Sequence, residues 1–187
     1  MIYIVTGFMR SGTSMLMQAC EAGGLPVARD LIRDEKNRLA SDAHYQPNPH
    51  GLYEVLPTRF REPGFSRQYD AHALKLLAPD LGYLVEHQYR VAWMHRNAEE
   101  IRQSYEAAFG YTYLTCAIID HVTATGLDLL RNRPDVHDIC ELSYSDVVAN
   151  PLSAIKQLAW PLHLKAAPSV VDPTWYRFRQ AALTAGL

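Results

Sequence analysis

The chain has 187 residues, 48% of them hydrophobic and 20% charged, with a formal net charge of −2. That make-up suits a single globular domain over 1–187, a length that buries roughly 70% of its unfolded surface. So slight an acidic balance argues against a general binder of nucleic acid or anionic membrane, since both need surplus Lys and Arg, but it leaves room for a small anion held by a few placed cations.

Three cysteines, Cys20, Cys116 and Cys140, stand in apolar stretches without a C-x-x-C pair. They read as buried free thiols in a reducing compartment. Arg10 and Glu21 interrupt the N-terminal apolar run. No segment reaches the ~18–20 apolar residues that span a bilayer, so the expected location is cytoplasmic.

Along the chain, residues 2–6 form a short β-branched run ending at Gly7, which predicts a buried strand. A helical pattern over 13–22 follows and stops at Gly23-Gly24. Residues 29–42 are charged and weakly helical, and 44–70, with Pro47, Pro49, Pro57 and Pro63, read as a long irregular segment of the kind that carries lids or binding residues. A second strand is expected within 71–77, stopped by Pro79, and a third over YRVAWMH at 89–95. Asn97 and Glu100 have capping-box spacing for a helix to about Phe109. Further helices are expected over 113–130, over 145–158 with a possible break at Pro151, and over 173–185, with a last strand at 139–142. Alternating strands and helices predict an α/β fold, a central parallel sheet with helices on both faces.

The first strand and helix enclose Gly7-Phe8-Met9-Arg10-Ser11-Gly12-Thr13-Ser14. The glycines and final hydroxyl match the phosphate loop G-x-x-x-x-G-K-[ST], but Thr13 holds the lysine position and Arg10 is the loop's cation. Successive backbone N–H groups running into a helix N-terminus make an anion site, and Thr13 and Ser14 add hydroxyls. A nucleoside triphosphate with Mg²⁺ calls for the missing lysine and for an acid after a neighbouring strand. Strand 89–95 is followed by Arg96 instead. The loop therefore predicts phosphate binding without Mg²⁺, and the eight histidines show no metal-ligand spacing.

These residues resemble the sulfotransferases that use 3′-phosphoadenosine 5′-phosphosulfate, in a short bacterial-type form with a P-loop-like fold. Arg10-Ser11-Gly12-Thr13-Ser14 is similar to that family's 5′-phosphate loop, [KR]-S-G-T-[ST]. Arg96, with Ser104 eight residues later, matches its 3′-phosphate pair. ELSYSDVVANP places Tyr144 where an adenine contact is implied, and NPHGLYE resembles a segment of bacterial members. The C-terminal R-K-G-x-x-G clamp of animal members is missing, with Arg177 and Arg179 as partial substitutes. The resemblance implies that Arg10 bridges the 5′-phosphate and the departing sulfonate and that Lys75 assists at the sulfuryl oxygens, although the histidine that often follows that lysine is absent. Glu54 is the leading general base, a carboxylate able to take a proton from an acceptor hydroxyl, with His50 and His72 as alternatives. The donor cosubstrate is 3′-phosphoadenosine 5′-phosphosulfate, the acceptor a small molecule or carbohydrate, and no metal is expected. A nucleotide-binding relative without activity and a P-loop small-molecule kinase stay open as alternatives.

Overall fold

The computed structural model describes residues 1–39 and 51–171. The helix expected over 173–185 lies outside the described residues, as does part of the irregular segment. Strands β1 (Ile2–Gly7), β2 (Ala73–Lys75), β3 (Tyr89–His95) and β4 (Val136–Ser143) form one sheet in the order β2-β1-β3-β4. Every pairing is parallel. The helices are α1 (Thr13–Ala22), α2 (Leu31–Leu39), α3 (Phe65–Gln68), α4 (Ala98–Phe109), α5 (Cys116–Arg131), α6 (Tyr144–Ala149) and α7 (Pro151–Lys156), with 3-10 turns at Pro57–Arg61, Ala78–Tyr83 and Ala167–Val170.

Strand alternation divides the core in two. Val5, Ala92, Met94 and Leu142 meet Leu16 and Cys20 of α1, Val147 of α6 and Ile155 of α7. Ile4, Leu74, Val91 and Trp93 face the other way, toward Leu127 and Leu130 of α5 and Phe60 and Phe65. Both faces of the sheet are thus covered, as the alternating elements predict. β4 is an edge strand, and its exposed His137, Asp138 and Glu141 make it a poor template for pairing with another chain.

Several elements differ from the sequence expectation. The second strand is only three residues long, because Ala71 adopts φ 60° before it and the Ala78–Tyr83 turn follows Leu77. The proline-rich stretch contains two short helices, anchored by buried Phe60 and Phe65. The helix expected from residue 113 starts at Cys116, where the Thr115 hydroxyl accepts from the Ile118 N–H. Asn97 caps α4 by accepting from the Glu99 and Glu100 amides, but the Glu100 carboxylate pairs with Arg96 instead of closing a capping box. Asn150, at φ −144°, ψ 74°, separates α6 from α7, and Pro151 opens the second helix. All three cysteines are free, but only Cys20 is fully buried.

Candidate anion-binding and catalytic site

β1 delivers the chain to Gly7 and α1 takes it up at Thr13. Both glycines are required by contact. A Cβ on Gly7 would stand 2.6 Å from the Met94 carbonyl oxygen, and one on Gly12 (φ 100°) would stand 2.6 Å from Cδ2 of Tyr144. Arg10 itself holds a left-handed φ of 67°, uncommon for a residue with a Cβ. No side chain caps the N-terminus of α1 and its first turn has no acid, so its N–H groups and dipole favour an anion. The Ser11 amide donates to the Phe8 carbonyl at 3.1 Å. Its hydroxyl is fully buried and has no hydrogen-bond partner among the described residues.

The second group closes on this loop from β3 and α4. Ile101, Ser104, Tyr105 and Ala108 form the buried stripe of α4, so Ser104 is a hydroxyl on a core-facing row. Its Oγ accepts from Arg10 Nε at 3.1 Å. Arg96 follows β3, and its side chain is 7% exposed. It donates to the Arg10 carbonyl at 2.9 Å and to Glu100 Oε2 at 3.2 Å. Its guanidinium lies 4.3 Å from the centre of the Tyr144 ring, a cation–π contact. Tyr144 is 5% exposed and packs on Gly12, so it acts as a wall of the loop.

The third group comes from β2 and the segment after residue 50. Lys75, paired in register with Val5, is 4% exposed. Its ammonium donates to Ser14 Oγ at 3.0 Å, the Leu52 carbonyl at 2.7 Å and Glu54 Oε1 at 3.1 Å. The Ser14 hydroxyl donates to that same carbonyl at 3.2 Å. The neighbouring strand thus places a cation beside the first turn of α1, where the loop has lost its lysine. Burial lowers the Lys75 pKa, and the Glu54 charge opposes that shift. Glu54 makes an isolated bridge to Lys75 and also meets Arg33 of α2 at 3.0 Å through Oε2. Nearby Asp80 has a raised pKa, from burial first and then from the Glu54 charge, with Arg33 opposing.

Arg10, Ser11, Gly12, Thr13, Ser14, Glu54, Lys75, Arg96, Ser104 and Tyr144 therefore lie in one contiguous contact network. His72 does not join it. Its carbonyl accepts from the Tyr3 amide, and it precedes β2 at the end of the sheet opposite the loop, with its ring on the Asp70 carbonyl at 2.8 Å. His50, Arg177 and Arg179 lie outside the described residues. Sequence reading missed Arg33 and Asp34, which sit in a segment marked only by its charge; Asp34 Oδ1 accepts from the Leu52 amide at 2.8 Å. Among the described residues, no cluster of three or more His, Cys, Asp or Glu could hold a metal ion, and no helix is long and apolar enough to cross a membrane.

Strand, glycine loop and helix on a parallel sheet make this a P-loop-type α/β fold. No protein-family model matches the chain, and no curated protein does. Among solved structures, an unliganded sugar kinase from Janibacter sp. HTCC2649 is similar, with a TM-score of 0.47 and 16% identity over 91% of this chain and 98% of that one.

Proposed function

We propose that this chain is a nucleotide-dependent group transferase, and specifically a sulfotransferase that uses 3′-phosphoadenosine 5′-phosphosulfate and a small-molecule or carbohydrate acceptor. The observation that carries this reading is the junction of Arg10 with Ser104 and Arg96, contributed by separate segments and joined at 3.1 and 2.9 Å. The residues fit an anionic nucleotide: the glycine cradle, the buried Ser11 hydroxyl and three cations surround one loop. Ser11, Gly12, Thr13 and Ser14 would hold the 5′-phosphate through backbone amides and hydroxyls. Arg96 and Ser104 would hold the 3′-phosphate, with Tyr144 supporting the nucleotide side of the loop. Arg10 and Lys75 would stabilise charge on the leaving and sulfuryl oxygens.

In the transfer step the acceptor oxygen or nitrogen forms a bond to sulfur while the bond from sulfur to the bridging phosphate oxygen breaks. The electron pair leaves with adenosine 3′,5′-bisphosphate, and the acceptor proton passes to Glu54. No metal is assigned to the step. Transfer of labelled sulfate from this donor to a panel of hydroxyl and amine acceptors tests the reading.

Phosphoryl transfer is the second reading, and Lys75 favours it. A buried ammonium beside Ser14 can do for a nucleotide phosphate what a loop lysine does. The similar sugar kinase points the same way in name, but a likeness this distant carries no weight on the reaction. Labelled γ-phosphate of ATP, offered with Mg²⁺ and sugars, separates the two.

A further inference from the structure

α2 contributes no residue to the buried core among the described residues, and its Leu31 and Ile32 are exposed. Its first turn is nevertheless fixed: the Arg33 amide donates to Asp30 Oδ1 at 3.0 Å and the Asp34 amide to the Asp30 carbonyl at 2.9 Å. From that turn two successive side chains grip the segment over the phosphate loop. Asp34 accepts from the Leu52 amide and Arg33 meets Glu54. The Glu54 carboxylate is thus held at both oxygens, Oε1 by Lys75 and Oε2 by Arg33, at 3.1 and 3.0 Å. Two ion pairs from different elements restrict a carboxylate more than either does alone.

We propose that Arg33 is a positioning residue that acts through Glu54, holding its carboxylate over the loop on the acceptor side. The proposal rests on the reading of Glu54 as the acceptor's base. It makes α2 a support for the site in place of a core element, which accounts for a helix whose described attachments are polar.

The test is a double-mutant cycle of Arg33→Met and Glu54→Gln in the full chain, read by amide hydrogen exchange over residues 51–56 and by release of adenosine 3′,5′-bisphosphate from the donor. Arg33→Met is expected to speed exchange roughly two- to fivefold, the range for a partly exposed ion pair, and the double variant to go no faster than the faster single one. Arg33→Lys should restore most of the protection. In turnover, Arg33→Met should lower kcat and leave donor affinity unchanged. Unchanged exchange in Arg33→Met, or additive effects in the double variant, overturns the proposal. Unchanged turnover in Glu54→Gln, with the exchange pattern as expected, overturns only the role of Glu54 as base.

Discussion

Arg10 Nε lies 3.1 Å from Ser104 Oγ, joining the phosphate loop to the buried stripe of α4 across 94 positions of sequence. The contact ties the loop's cation to the helix that Arg96 precedes. Changes at either end should therefore be felt at both.

Arg96→Ala is expected to weaken both adenosine 3′,5′-bisphosphate and adenosine 5′-phosphate. It removes the support of the Arg10 carbonyl as well as the charge proposed to hold the 3′ group. The bisphosphate should lose more, by about 1.5–3 kcal/mol, the usual worth of a charge-assisted hydrogen bond. Calorimetry on both ligands checks this, and a larger loss for the monophosphate would contradict it.

Lys75→Met should abolish turnover without unfolding the protein. Burial lowers the folded-state pKa of Lys75, so its contribution to stability rises as pH climbs through the folded value toward the unfolded one. In the variant the Ser14 hydroxyl and Leu52 carbonyl still have each other, but Glu54 keeps only Arg33. The variant's melting temperature should fall in thermal denaturation, since removing one partner of a buried pair leaves the other less compensated.

Arg133 and Asp135 make a two-contact pair at 3.0 and 2.7 Å, and Arg133 also reaches the Leu84 and Val85 carbonyls. Burial works to raise the Asp135 pKa, but the Arg133 hydrogen bonds, the His87 amide and the Arg133 charge together hold it below the usual carboxylate value. A depressed acid contributes stability above its unfolded pKa of ~3.9 and loses it as pH falls through the folded value. Asp135→Asn should cost about 1.5–3 kcal/mol near pH 7, and the gap to wild type should shrink below pH ~4. Urea denaturation at several pH values reads this directly.

Gly126 in α5 packs on the sheet so closely that an added Cβ would stand 2.8 Å from the ring of fully buried Trp93. Gly126→Ala would gain helix propensity, but the clash is larger. A net loss of about 1–3 kcal/mol is expected in chemical denaturation.

The phosphate loop was legible in the sequence because its requirements are local: a strand ending at Gly7, a helix starting at Thr13, and glycines where a Cβ cannot fit. Ser104 is marked in the sequence only by its spacing from Arg96; its place on the stripe of Ile101, Tyr105 and Ala108, which turns it inward, is seen in the fold. The Lys75–Glu54 contact was not legible, because it depends on the parallel register that sets Lys75 beside Val5. Arg33 was hidden for the same reason. A charged surface helix shows nothing in sequence of which carboxylate it meets. Tyr144 is marked by its motif, but only the packing of its ring on Gly12 shows how little of it is open.

The identity of the nucleotide separates sulfuryl from phosphoryl transfer. Thermal denaturation of the full chain should be followed with adenosine 3′,5′-bisphosphate in the presence of a metal chelator, and separately with ATP and Mg²⁺. A ligand specific to the native state at a hundred times its dissociation constant contributes about 2.7 kcal/mol, enough for a shift of several degrees. That shift is expected for the bisphosphate without metal, and little for ATP with Mg²⁺. A shift with ATP and Mg²⁺ alone would contradict sulfuryl transfer and favour the phosphoryl-transfer reading.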